Sequence, residues 1–151
     1  MEATPQLIKL LIEQNQFTCN FALDKISSEN LHWKLNEQAA SIGFIFRHLG
    51  EAQLRLGTFL GEQTEVSNTT MGFQDTGQGA DLEASRHLVE AGYGMLFSLA
   101  AERDSEWWMG TTSTPFFGEI ERIRMLGHIL NHNAHHTGQI ALVLSRYSTG
   151  E

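Results

Sequence analysis

Along most of the chain, apolar residues recur every three or four positions rather than every second one, the repeat of helices with one buried face. Thr4 followed by Pro5 is a favourable helix start, and Leu7, Leu10, Leu11, Phe17, Phe21 and Ile26 carry an interrupted apolar stripe to about Ser27. After the link SSENLHWKLNEQAA, Ser41 can cap a second helix with Ile45, Leu49, Ala52, Leu56 and Phe59 on one face, failing near Gly61. Residues 61–80, GEQTEVSNTTMGFQDTGQGA, hold four glycines and no periodicity. A loop of that length in a compact domain is uncommon unless it is functional or serves as a crossover. Asp81 is a candidate cap for a third helix, with Val89, Tyr93, Leu96 and Ala100 inward, running to about Trp108. The linker MGTTSTPFFG leads to a fourth, from about Glu119 to Tyr147. No segment reads as a strand, and no internal repeat competes. Four helices with one long connection predict an all-α four-helix bundle in which two neighbours run parallel.

Composition narrows the class. With 151 residues, 41% of them hydrophobic, the chain suffices for one well-buried core and is too short for two, so a single domain over 1–151 is expected. Acidic residues outnumber basic ones 18 to 10, for a formal net charge of -8, and no Lys/Arg-rich run occurs, which argues against a nucleic-acid partner. The amino terminus lacks the basic-then-apolar pattern of a signal peptide, and no stretch approaches the ~20 apolar residues needed to cross a bilayer. The lone Cys19 cannot form an internal disulfide; it reads as a small buried residue and fits a reducing compartment, so a cytoplasmic protein is expected.

The chemistry-bearing segment is HILNHNAHHTGQI, residues 128–140, with His128, His132, His135 and His136 close together. Projection at about 100° per residue puts Met125, Ile129, His132, His136, Ile140 and Val143 in one narrow stripe, with His128 and His135 to the side as rim residues. Histidines four apart on a helix reach a common point, the spacing that helical metal sites use. His48, on the shoulder of the second helix's apolar face, offers a third donor. An isolated histidine on an apolar face is more often a half-buried residue bonded to a neighbour. Burying three imidazoles together, however, is unfavourable unless something occupies their nitrogens. Spacing alone leaves both readings open, with His128 as a substitute for His132. His32 and His87 have no partner at ligand spacing and read as solvated or capping residues.

SIGFIFRHLGEAQ together with NHNAHHTGQI resembles the DinB-like, or YfiT-like, family of small bacterial four-helix metalloproteins. The resemblance spans nearly the whole chain, including the tryptophan of the first link, Trp33. It implies an up-down-down-up bundle with a long crossover between helices two and three, frequent homodimers, and a divalent metal held by His48, His132 and His136. Many members carry arginine where this chain has Thr137. Gly138 and Gln139 match; the glycine would permit close helix contact and the glutamine would support a ligand or an interface.

Three neutral imidazoles leave a dication its full Lewis acidity and a tetrahedral ion one open position. Zinc fits best, with nickel, iron and copper compatible by ligand type. A water or thiol at such a position becomes a nucleophile at neutral pH. Relatives that use low-molecular-weight thiols, such as bacillithiol or glutathione transferases, imply a metal-dependent enzyme adding a thiol, or water, to a small electrophile. A non-enzymatic metal-binding or stress-response protein is the alternative. Glu51, one turn from His48, is a candidate to orient a ligand or act as base, against the plainer reading of a solvated carboxylate. Trp107, Trp108, Phe116 and Phe117 are candidates to wall a pocket, or to serve as core or dimer packing.

Overall fold

The computed structural model describes residues 3–148. Four long helices, α1 (Ala3–Leu23), α2 (Ile42–Gly57), α3 (Leu82–Glu102) and α5 (Arg122–Ser148), form the bundle, with a short α4 (Ser105–Met109) and a hairpin, β1 (Thr111–Thr114) and β2 (Gly118–Glu121), between the last two. Their directions follow from which residues meet. Asn15 reaches the carbonyl of Leu130 while Ala22 lines a groove with Ala141, so α1 and α5 run parallel. Gly50 lies against Leu88 and Gly92 against Gln53, so α2 and α3 run parallel too. Tyr93 bonds Asn15 while Arg86 bonds the carbonyl of Ile26, and Gln53 meets Asn133 while Ile45 shares a cavity with Val143. Those two pairings are antiparallel, and the bundle is up-down-down-up with residues 58–81 as the crossover.

Local chemistry sets the ends. Ser41 Oγ accepts from Phe44 N at 3.2 Å and Asp81 Oδ1 from Ala84 N at 2.9 Å, both at the capping positions the sequence indicates. The third helix stops at Glu102 rather than Trp108, because Arg103 turns extended and Asp104 caps a new helix by accepting from Trp107 N at 2.8 Å. The linker expected before the fourth helix is a two-stranded antiparallel hairpin that pairs Thr112 with Ile120 and buries Ile120. It escapes a periodicity reading because its strands are four residues long and one of them is TTST. Its turn, Pro115 to Phe117, closes on Gly118 at φ 67°, the left-handed residue that three-residue hairpin loops favour. The fourth helix accordingly begins at Arg122 and not at Glu119.

The core confirms three of the expected faces, that of α2 with Ile45, Leu49, Ala52 and Leu56 buried among them, and overturns one. Val89, Tyr93, Leu96 and Ala100 are buried, as are Met125, Ile129, Ile140 and Val143. On α1 the core face is Ile8, Ile12, Cys19, Ala22 and Leu23, whereas Leu7, Leu10, Leu11, Phe17 and Phe21 are 48–65% exposed. This helix is apolar on two sides. Asn15 selects between them: it points inward, donating to Leu130 O at 2.9 Å and accepting from Tyr93 Oη at 2.8 Å. With Gln53 and Asn133 it forms a buried polar layer drawing one side chain from each long helix.

The crossover lies on α2, which it buries almost completely together with α3 and α5. Gly79 sits against the backbone of Gly43 so closely that a Cβ there would be 1.9 Å from the Gly43 carbonyl carbon. Asp75 Oδ2 accepts from Ser41 N at 2.8 Å across the same seam. The loop is thereby fixed over the turn of α2 that carries His48. No helix among the described residues is long and apolar enough to cross a membrane.

Candidate metal centre

His48 of α2 and His132 and His136 of α5 converge, each half-buried, with one ring nitrogen from each inside a common 4.8 Å span. Nε2 of His48 and Nε2 of His132 are 3.1 Å apart. The ring of His136 stands edge-on to both, at centroid distances of 4.6 and 4.4 Å. Tetrahedral Zn–N bonds of 2.0–2.1 Å imply ligand atoms about 3.3 Å apart, close to the observed His48–His132 separation. Burial holds the His48 imidazole down at about 4, reinforced by His136 and only partly opposed by Glu51. Burial likewise pushes His132 down to about 3, helped by His136 and His48, and lowers His136. All three rings are therefore neutral at neutral pH, the protonation state that coordination requires. The donor set, its spacing and its charge state fit a divalent ion.

Of the surrounding hydrogen bonds, the sequence indicated only the support from Gln139. Nδ1 of His48 lies 3.2 Å from Thr70 Oγ1 of the crossover, and Nδ1 of His136 lies 2.7 Å from Gln139 Oε1. Glu51 is not a solvated carboxylate: it is 0% exposed. Its Oε1 accepts from Arg47 Nε at 2.8 Å and from Thr69 Oγ1 at 2.6 Å. Its Oε2 accepts from Thr69 N at 2.9 Å and from Thr70 Oγ1 at 2.7 Å. Burial alone would raise its carboxyl; the donors from Thr69, Thr70 and Arg47 hold it below the usual carboxylate range. Glu51 lines neither cavity beside the histidines and reaches His48 only through Thr70. Spacing along one helix could not show this, because the loop that covers Glu51 is distant in sequence.

Two cavities adjoin the cluster. One, of ≈ 380 Å³, has Leu35, Phe44, Ile45, Leu142 and Val143 as apolar walls and touches His48 and His136. The other, of ≈ 390 Å³, opens on the side of Ala52 and Leu56 and touches His48, His128 and His132, with Phe116 and Phe117 from the hairpin turn. The aromatic candidates therefore divide. Trp108 is a 1% exposed core residue, and Trp107 lies between the guanidinium groups of Arg103 and Arg122 at 5.0 and 4.8 Å. Only Phe116 and Phe117 come near the histidines, the latter 4.9 Å from the ring of His128. His128 stays at the rim, 6.2 Å from His132 between centroids, and His135 is exposed beside His136. His32 and His87 are exposed and distant from the cluster. Thr137 faces the α1 groove, away from the histidines, and among the described residues no atom lies within 4 Å of where a Cβ on Gly138 would stand, so no close helix contact is seen there.

A helical bundle with three neutral imidazoles at its centre and a crossover laid over one of them defines a class of small metal-site bundles. The chain belongs to the DinB superfamily, whose family model matches residues 12–140. No functionally curated protein matches it. Among solved structures it is similar to YfiT from Bacillus subtilis, described as a probable metal-dependent hydrolase with an unusual four-helix bundle topology. That likeness has a TM-score of 0.71 at 15% identity and covers 98% of this chain and 90% of that one. It is also similar to a DinB-like protein from Bacillus cereus, with a TM-score of 0.70 at 16% identity over 89% of this chain and 86% of that one. A third likeness is to TT2238, a four-helix bundle protein, with a TM-score of 0.64 at 19% identity over 92% of this chain and 99% of that one.

Proposed function

We propose that the protein is a metal-dependent enzyme that holds one divalent ion, zinc or nickel, on His48, His132 and His136. Its reaction is the addition of a low-molecular-weight thiol, or of water, to a small electrophile. The observation that carries this reading is the convergence of three neutral imidazoles, two of which, His48 and His136, open onto an apolar cavity. An ion held by three neutral ligands supplies Lewis acidity at an open position, lowering the pKa of a thiol or water presented there. The chain's own residues do the rest. Leu35, Phe44, Ile45 and Leu142 exclude water from the cavity and offer a seat to the organic part of a substrate. Glu51 has all its acceptor positions engaged, so no carboxylate of the cluster is left to act as base. This favours a nucleophile acidic enough to ionise by coordination, as a thiol is. The description of YfiT supports the variant in which water takes that place.

Elemental analysis of untagged protein tests the reading. About one metal per chain is expected in the wild type and in His128→Ala, and none in His132→Ala; equal content in all three rejects the ligand set. Loaded protein is then assayed with thiols against electrophiles and with esters in water. Metal-loaded protein inert in both assays supports instead a non-enzymatic metal-binding role.

The chain is further read as a homodimer, in the cytoplasm, where its free, buried Cys19 stays reduced. Leu7, Leu10, Leu11, Phe17 and Phe21 form an uncharged apolar strip along α1, more than a lone soluble bundle ordinarily leaves in water. A second copy, related by two-fold symmetry, would cover it with the same strip.

A further inference from the structure

We infer that the crossover loop sets the position of the proton on His48: Thr70, backed by Glu51, takes the hydrogen bond of Nδ1–H and so leaves the Nε2 lone pair facing His132 and His136. Thr70 and Glu51 are thus positioning residues of the site. The inference rests on the proposed ligand set only for its consequence, not for the proton assignment.

The assignment follows from counting protons. Thr70 Oγ1 lies 2.7 Å from Glu51 Oε2 and 3.2 Å from His48 Nδ1, and a hydroxyl has one hydrogen to give. Glu51 faces the Arg47 guanidinium at 2.8 Å and the Thr69 amide at 2.9 Å, both of which can only donate. A carboxylate in that company accepts on both oxygens, so the Thr70 hydrogen goes to Glu51. The Thr70 oxygen then meets His48 as an acceptor, and Nδ1 must carry the hydrogen. Nε2 is left bare, 3.1 Å from Nε2 of His132.

Gln139 repeats the device for His136. Its amide oxygen, 2.7 Å from Nδ1, can only accept, so His136 also presents Nε2. The two supports differ in placement: Gln139 is exposed, whereas Thr70 is 3% and Glu51 0% exposed. The loop is built to hold Thr70 in place. Asn68 and Met71 bracket it with mutual bonds of 3.0 and 2.8 Å, and Gln78 Nε2 donates to Thr69 O at 3.1 Å. An imidazole whose far N–H is held by an oxygen backed by a carboxylate is oriented and made a more basic ligand.

The test uses the full chain, metal-free and labelled with ¹⁵N. Two-bond ¹H–¹⁵N spectra at neutral pH identify the tautomer of each imidazole, with the His48 signals assigned by their loss in His48→Gln. The wild type is expected to show His48 protonated at Nδ1, Thr70→Ser to keep that tautomer, and Thr70→Val to shift toward Nε2–H. Wild-type His48 protonated at Nε2 overturns the inference without any variant having to fold, and so does an unchanged tautomer in Thr70→Val. In Zn²⁺ and Co²⁺ titrations, Thr70→Val is expected to bind roughly 10–100-fold more weakly and Thr70→Ser to recover most of the loss. Equal affinity in Thr70→Val and wild type overturns the positioning role. Wild type that binds neither ion while His48 shows Nδ1–H supports the proton assignment and defeats the proposed metal function instead.

Discussion

The seam between the crossover and α2 offers the sharpest test of how the site is held, through Gly79→Ala. A methyl group on Gly79 would lie 1.9 Å from the carbonyl carbon of Gly43, 2.0 Å from its oxygen and 2.4 Å from the nitrogen of Phe44. Non-bonded carbon contacts settle near 3.5–4.0 Å, so the two backbones must part by about 1.5 Å. Gly79 has no positive φ, which makes the effect steric rather than conformational. The bond from Ser41 N to Asp75 Oδ2, now 2.8 Å, would be stretched beyond hydrogen-bonding range. Losing a bond to a charged acceptor costs about 1.5–3 kcal/mol, and forcing backbone apart in a packed seam about 1–3 kcal/mol. Together these predict about 2.5–6 kcal/mol of destabilisation, or a Tm lower by about 5–24 °C in a chain of this size. Thermal unfolding followed by circular dichroism measures it. Gly94→Ala is the control: that glycine faces solvent in α3 with open space around it, and alanine there gains about 0.5–1 kcal/mol of helix propensity. Opposite signs for the two variants are expected. A Gly79→Ala protein melting within about 2 °C of wild type would refute the packing argument.

Other expectations follow from the same geometry. The metal-free protein should lose stability as pH falls. The unfolded chain takes protons on His48 and His132 near 6.5, while the folded chain resists until about 4 and about 3. Stability is therefore full above pH 6.5 and declines below it, by about 1–2 kcal/mol per ring once discounted for the part of each that faces water. Urea titrations between pH 7 and pH 4 check the slope, and a rise in stability over that window contradicts the burial of neutral rings. Asn15→Leu removes the acceptor of the Tyr93 hydroxyl and opens the polar layer, which should cost about 2–4 kcal/mol in chemical denaturation; a neutral outcome would show the layer to be dispensable. Phe17→Glu combined with Phe21→Glu should yield monomers in analytical ultracentrifugation if α1 is the self-association face, with the metal content unchanged. Dimers surviving in that variant point to a different surface.

How much of this was legible beforehand depended on the range of the physics involved. Helix boundaries governed by short-range chemistry, such as the Ser41 and Asp81 caps, were readable because the cap and the amide it serves are three residues apart. The stripe carrying His132 and His136 was readable for the same reason: helical geometry alone puts positions four apart on one face. The break at Arg103 and the hairpin after it were not, since each is decided in a few residues too short to show a period. On α1 the two apolar stripes are equivalent in sequence, and only the partners of Asn15 on α3 and α5 decide which one is buried.

What the chain alone determined, then, was an all-helical bundle with a long crossover and a pair of imidazoles on the inward stripe of its last helix. Tertiary structure decided the rest, because it depends on contacts between segments far apart in sequence. It brought His48, which the sequence could only offer as a third donor, to that pair across 84 positions. It laid Thr69 and Thr70 over Glu51, turning an apparent surface carboxylate into a buried anchor, since a charge out of water persists only where donors from elsewhere in the chain surround it.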